Sequence, residues 1–311
     1  MISGIINVYK EKGYTSHDVV AKLRGIFRQK KIGHTGTLDP EAEGVLPVCL
    51  GKATKICDLL TDKDKEYDAV LLLGRTTDTQ DAAGTVLSEK AIGCSEEEIH
   101  KIIAGFIGGY DQIPPMYSAL KVNGKKLCDL ARAGVTVERK PRRVQIYDIQ
   151  IIETVLPRVR FRVHCSKGTY IRTLCHDIGQ NAGCGGCMET LVRTRAADFR
   201  LQDAHKLSEI EAQVHAVCQR NPNGELSKAE LNNLVQDIDT VFGEYPGIFV
   251  KEEFSKFLYH GNPLQKEWIK EWQKSYESKW LRVYDSRQNF VGIYQWKDSS
   301  RDIRAIKIFM E

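Results

Sequence analysis

The chain has 311 residues, 42% hydrophobic and 28% charged, with 45 basic and 41 acidic side chains and a formal charge of +4. No N-terminal stretch has the charged-then-apolar pattern of a signal peptide and no apolar run reaches membrane-spanning length, so a cytoplasmic protein is expected rather than a secreted or membrane-spanning one. The nine cysteines are odd in number and scattered, mostly in apolar patterns such as Val48-Cys49-Leu50, so they read as reduced thiols rather than a disulfide framework.

This length allows a substantial core and two domains. Residues 5–9 read as a short strand. Thr15 and Asp18 then give a capping-box start to an amphipathic helix whose apolar stripe is Val19, Val20, Leu23, Ile26 and Phe27. A loop carrying Asp39 follows, then strand candidates at Val45–Leu50 and Tyr67–Leu73. Ser95 with Glu98 caps a helix that the pattern carries to Gly108-Gly109. A short helix is expected between Gly124 and Gly134, and a sheet segment from Val144 to Ile151. Val159, Phe161, Val163 and Cys165 alternate with Arg158, Arg160, Arg162 and His164, the period of a strand with one basic face. Ile171, Leu174, Cys175 and Ile178 take helical spacing up to Gly183. Residues 205–244 read as polar and helical, broken at Asn221-Pro222-Asn223-Gly224. All four tryptophans fall beyond Tyr245, among strands Leu281–Tyr284 and Phe290–Tyr294, where core packing is the commoner role. Mixed strands and helices in this order fit an α+β fold on a largely antiparallel sheet.

Charge is informative locally rather than globally. Residues 121–143 hold eight basic side chains against Asp129 and Glu138, a local +6. Residues 157–172 add Arg158, Arg160, Arg162, Lys167 and Arg172 with no acid. Either run could be a solvated face; two runs flanking one candidate site point toward phosphate contacts and an RNA partner.

That candidate site centres on Asp39, in Gly33-His34-Thr35-Gly36-Thr37-Leu38-Asp39-Pro40. Pro40 biases Asp39 toward extended backbone angles. A carboxylate on such a loop is suited to nucleophilic or acid/base work, although the same residues also make ordinary surface turns.

The stretch from His34 through Gly44-Val45-Leu46-Pro47 closely resembles the catalytic loop of the TruB family of tRNA pseudouridine synthases. Lys65-Glu66-Tyr67 resembles the second motif of that family, and Arg75-Thr76-Thr77-Asp78-Thr79 follows at the expected remove. Ile113-Pro114-Pro115-Met116-Tyr117-Ser118-Ala119-Leu120-Lys121 and Cys165-Ser166-Lys167-Gly168-Thr169-Tyr170-Ile171-Arg172-Thr173 match the later motifs in the same order. Lys10 opens a segment similar to the family's Lys-Pro-x-Gly start, with Glu11 in place of the proline, and no catalytic role is assigned to it. His260-Gly261-Asn262-Pro263-Leu264 and the hairpin after it resemble, more weakly, the PUA module of TruB enzymes.

The resemblance implies a pseudouridine synthase catalytic domain over residues 1–240, on a largely antiparallel mixed sheet, with a basic RNA-gripping insertion at about 114–143. A small β-rich PUA-like RNA-binding domain is implied over 245–311. The implied reaction turns uridine into pseudouridine at position 55 in the T loop of tRNA by base flipping, with Asp39 as the carboxylate. By the same resemblance His34 fills the space left by extruded bases and Tyr67 stacks on the target uracil. Tyr170 lines the pocket, Arg172 partners Asp39, and Leu191 packs beside it. Spacing alone would equally make Arg172 a solvent-exposed strand-end arginine. No cofactor and no metal are expected; the implied partner is the T-stem-loop of tRNA, bound by a monomer.

Other readings fail on residues. Gly44 to Lys52 is not a Walker loop, because six residues separate Gly44 from Gly51 and Ala53 follows the lysine. Cys184 and Cys187 near His164, Cys165, Cys175 and His176 lack a tightly spaced second ligand pair for zinc. A zinc base deaminase needs His-x-Glu, which the chain does not contain. The alternative of another class is an RNA-binding or tRNA-folding protein, for which Asp39, Tyr67, Tyr170 and Arg172 together would serve no purpose.

Overall fold

The computed structural model describes residues 1–221 and 226–310. The larger sheet has nine strands among these residues. Its path runs Gly4–Lys10, Glu43–Leu50, Gly186–Ala196, Lys65–Leu73, Arg158–Cys165, Arg142–Val155 and Gly108–Gln112. Ile32–His34 pairs beside Glu43–Leu50, and Phe199–Arg200 beside Gly186–Ala196. Its pairings are antiparallel except one, where Glu43 and Gly44 run parallel to Val192 and Arg193. The mixed, largely antiparallel sheet expected from the sequence is present.

Alternation divides the strands between separate cores. Ile6, Val8, Leu46, Val48 and Leu50 pack with the helices Ser16–Ile26 and Leu207–Arg220. Their neighbours Ile5, Val45 and Cys49 join Phe199, Ile238 and Phe242 in a second cluster. In a third, Val159, Phe161 and Val163 meet Ala69 and Leu71 together with the helices Glu96–Ala104 and Ile171–Asn181. Each such aliphatic or aromatic side chain contributes about 1.5–3 kcal/mol on full burial. Both expected capping boxes form, Thr15 with Asp18 and Ser95 with Glu98, so these helices start where the sequence places them.

Two local expectations are corrected. The helix from Glu96 ends at Ala104 with Gly105 as its cap, and Gly108-Gly109 instead opens the edge strand Gly108–Gln112. Between Gly124 and Gly134 the helix covers only Leu127–Arg132. Before it, Lys121–Val122 and Lys125–Lys126 pair as a tight hairpin about Asn123-Gly124. Both turn residues have positive φ, 50° and 80°, the geometry for which Asn-Gly is the favoured pair. The segment 205–244 holds the helix Leu207–Arg220 and short 3-10 turns at Lys228–Leu231 and Ile238–Phe242. The expected break at Asn221-Pro222-Asn223-Gly224 falls mostly outside the described residues.

A second sheet near the C-terminus has four strands in the order Gly247–Phe249, Trp280–Tyr284, Phe290–Lys297 and Asp302–Ile308. Its first hairpin is closed by Asp285, whose carboxylate accepts from the backbone N–H groups of Arg287 and Asn289 at 2.9 and 2.8 Å. The tryptophans pack rather than stand free: Trp296 is buried, Trp268 stacks on Phe254 and Phe257, and Trp280 lies against Tyr245. Ile293 of this sheet and Phe309 just beyond its last strand share the cluster of Ile5 and Phe199, and Lys55 Nζ donates to the Ile308 carbonyl at 2.7 Å. Apolar contact and a hydrogen bond thus join the two sheets.

Candidate active site

Asp39 lies in the loop joining the antiparallel strands Ile32–His34 and Glu43–Leu50, and the folded chain pins this loop from several directions. Leu38 is buried, its N–H donates to Ser16 Oγ at 2.9 Å, and the Ser16 hydroxyl donates to the Leu38 carbonyl at 3.3 Å. Lys10 is fully buried and donates from Nζ to the carbonyls of Ala42 (2.6 Å), Pro40 (3.2 Å) and Glu11 (3.2 Å). The Thr35 N–H and hydroxyl both donate to the Pro47 carbonyl. Gly44 ends the loop at φ 104°, where a Cβ would stand 2.3 Å from the Arg193 carbonyl oxygen, so the close strand approach requires glycine.

Arg172 occupies the first turn of the helix Ile171–Asn181 and is 4% exposed; the solvent-exposed alternative is excluded. Its Nε lies 2.9 Å from Asp39 Oδ2, and Nη2 donates to Asp39 Oδ1 at 3.3 Å. The same guanidinium donates to the Thr79 carbonyl at 3.0 Å and the Tyr117 carbonyl at 2.7 Å, with Asp81 Oδ2 at 3.5 Å. One side chain therefore joins the Asp39 loop, the Thr79 turn and the start of the basic insertion.

These groups enclose a cavity of about 310 Å³ lined by Asp39, Tyr67, Tyr170, Arg172, Leu191 and Arg193, with Ser118 to Leu120 along one wall. Four of the five expected binding residues thus converge with Asp39. His34 does not line this cavity. It borders a neighbouring hollow with His17, Arg24 and Lys31, accepting the Gly36 N–H on Nδ1 at 3.3 Å. Burial lowers its pKa.

Arg172 does pull the Asp39 pKa down, but burial outweighs it and Asp81 adds to the rise, so the carboxyl titrates above an ordinary aspartate. The side chain remains 37% open, on the cavity side. Burial likewise raises the phenols of Tyr67 and Tyr170.

Several contributors escaped the sequence reading. Arg193 is 1% exposed and sits opposite Tyr67 on the paired strand. Its period-2 phase with Leu191 was the available signal. Lys65 lines the cavity with its pKa lowered to about 8, chiefly by burial and then by the Arg193 charge. Burial also brings Lys10 to about 8, against the pull of Asp39 and Glu43. Gln112 fixes Tyr170 by accepting its N–H at 2.7 Å and donating to its carbonyl at 3.0 Å.

The two basic runs behave differently. Arg158 makes paired hydrogen bonds to Glu189, and Arg160 to Asp68; Arg162 approaches Glu66 and Asp68 at 3.9 and 3.7 Å. Cross-strand acids thus occupy the arginine face that composition marked for phosphates. In the insertion, Lys121, Lys125, Lys126, Lys140 and Arg142 are exposed and have no acidic partner within 4.0 Å among the described residues. Among those residues no group of three or more His, Cys, Asp or Glu is placed to hold a metal ion, and Cys184 and Cys187 are buried.

Comparison with known proteins identifies the family. The TruB family pseudouridylate synthase N-terminal domain matches residues 24–171, and the tRNA pseudouridylate synthase B C-terminal domain matches 172–242. The tRNA pseudouridine synthase B of Lachnoclostridium phytofermentans is 49% identical, covering 99% of this chain and 100% of the relative. The chain belongs to the TruB family. A second TruB relative, the tRNA pseudouridine synthase B of Clostridium kluyveri, is 40% identical over 99% of this chain and 100% of its own. Among solved structures, a chain of a Cbf5-Nop10-Gar1 complex is similar to this TruB member with a TM-score of 0.73 and 27% identity, covering 99% of this chain and 85% of that one.

Proposed function

We propose that this chain isomerises uridine to pseudouridine at position 55 in the T loop of tRNA. The observation that carries the reading is the Asp39–Arg172 pair opening into a cavity walled by Tyr67, Tyr170 and Leu191. Family membership and relatives named tRNA pseudouridine synthase B support the reaction and the substrate class.

The reaction breaks the bond from ribose C1′ to uracil N1, turns the base and joins C1′ to C5. A carboxylate suffices for it, either attacking C1′ or removing a ribose proton to give a glycal. Asp39 is that carboxylate in this proposal. The Arg172 guanidinium holds it in place and limits the rise that burial imposes on its pKa. Tyr67 stacks on the uracil and takes part in removing the C5 proton, while Tyr170 and Leu191 exclude water. A uridine within a folded loop must be extruded, at a cost of roughly a few kcal/mol in stacking. His34, on the flank of the cavity, fills the vacated space, and the unpaired lysines of the insertion at about 114–143 hold the backbone phosphates.

The proposed arrangement is a catalytic domain over 1–240 and a PUA-like RNA-binding domain over 245–311, acting as a cytoplasmic monomer. Mapping pseudouridine in tRNA from cells lacking and then regaining the protein tests the substrate. The modification should vanish from, and return to, T-loop position 55; loss at another site alone would refute the assignment.

A further inference from the structure

Arg193 is a charged group for which the reaction outlined above has no use. It is the cross-strand partner of Tyr67, on the neighbouring strand Gly186–Ala196. Its Nε donates to the Val45 carbonyl at 2.6 Å and its Nη2 to the Gly36 carbonyl at 3.2 Å. Both acceptors are neutral, and among the described residues the guanidinium forms no ion pair. A buried cation without a counter-charge is costly, so its retention beside the cavity calls for negative charge that arises there during turnover.

The isomerisation itself supplies that charge. One proton must leave C5 and one must reach N1. Both atoms flank C6, so turning the base about its C6–N3 axis brings C5 to the place that N1 left. A single hydroxyl facing that place can serve both ends. As the C1′–N1 bond breaks, its electron pair goes to the ring and the Tyr67 O–H gives its proton to N1. Once C1′ is joined to C5, the phenolate oxygen takes the C5 proton. The C–H electron pair restores the C5–C6 double bond, and the phenol is regenerated. No external acid or base enters the balance.

We propose that Arg193 is a positioning residue acting through Tyr67: it holds the phenol oxygen toward the uracil and stabilises the negative charge that oxygen bears between the two proton transfers. This rests on the pseudouridine-forming reading of the site. The charged and titratable groups around Tyr67 fit the assignment. Arg193 faces it from Gly186–Ala196, Cys165 from Arg158–Cys165 and Asp39 from its loop, while Lys65 from its own strand and Tyr170 and Arg172 from the start of the helix Ile171–Asn181 line the same cavity. Of the cations among them, Arg172 already serves Asp39, and Lys65 is turned to the Thr61 and Lys63 carbonyls.

The test is single-turnover conversion of a T-stem-loop RNA by wild type, Arg193→Gln and Arg193→Lys from pH 6 to 10, each with tyrosine or 3-fluorotyrosine at position 67. Arg193→Gln should slow conversion by about 100-fold at neutral pH, the scale of general acid–base catalysis, and the alkaline fall in rate as the Tyr67 phenol ionises should move to higher pH. Its RNA affinity should stay within about threefold, since Arg193 makes no phosphate contact in this account. The more acidic fluorotyrosine should restore roughly tenfold in Arg193→Gln and change wild type little. Should Arg193→Gln fail to fold, the readout is Arg193→Lys, which keeps the charge but loses the fork to two carbonyls; it should be slowed by about tenfold and partly rescued by fluorination. A wild-type pH profile in Arg193→Gln, or slowing in either variant that fluorination leaves untouched, overturns the proposal. A wild-type protein that converts no uridine would instead sink the functional reading beneath it.

Discussion

Arg172 holds Asp39 at 2.9 Å while its remaining donors grip the carbonyls of Thr79 and Tyr117. A lysine can replace the charge but not this fork. Arg172→Lys should therefore lower single-turnover rate by about 100-fold, comparable to losing one preorganised donor, with a smaller loss in RNA affinity. Stopped-flow binding and quenched conversion assays separate the two.

Asp39 carries a linkage consequence. Its folded-state pKa is raised, so between its unfolded and folded values the native state binds more protons and stability falls as pH rises. The full penalty is present above the folded pKa. Asp39→Asn should consequently raise Tm at pH 7, with the gain shrinking below the ordinary aspartate range. Thermal melts at pH 7 and pH 3.5 check this; a lower Tm for the variant at pH 7 would contradict it.

The two basic runs should part company on mutation. Arg160→Ala removes a cross-strand pair with Asp68 at the solvent-exposed face and should lower stability only slightly, with RNA affinity unchanged. Lys125→Glu with Lys126→Glu should weaken RNA binding and reduce the slope of log affinity against log salt by about 2. Chemical denaturation and salt titrations of RNA binding provide the two readouts.

How much of this was legible depended on the range of the interaction concerned. The capping boxes at Thr15 and Ser95 are contained in four residues each, and the alternation from Arg158 to Cys165 states its own buried face. Tyr67, Tyr170, Arg172 and Leu191 could be gathered around Asp39 through ordered motifs, although neighbouring letters alone left Arg172 in solvent. What remained hidden was long-range. The acids that neutralise the arginine face come from other strands, at Asp68 and Glu189. Arg193 becomes part of the site only because Gly186–Ala196 inserts between Glu43–Leu50 and Lys65–Leu73. The balance of burial against Arg172 that sets the Asp39 pKa requires the closed cavity.

Lys10 illustrates such a hidden role. It touches no expected substrate atom, yet its ammonium binds three carbonyls around the Asp39 loop. Lys10→Met should leave those acceptors unmet, costing roughly 1–3 kcal/mol of stability. Conversion should slow by about tenfold while RNA affinity holds, because displacement of the carboxylate by a fraction of an ångström affects the reaction more than binding. Denaturant titration and single-turnover rates measure the pair of effects.

The central claim is that the Asp39 carboxylate performs the chemistry on a uridine extruded into the cavity. Its most direct test is conversion of a T-stem-loop RNA under single-turnover conditions by wild type and Asp39→Asn, with affinity measured in parallel. Binding should agree within about threefold while the variant converts its uridine at least ~10⁴-fold more slowly, as expected on losing a catalytic group. An Asn variant that forms pseudouridine at the wild-type rate would contradict the account.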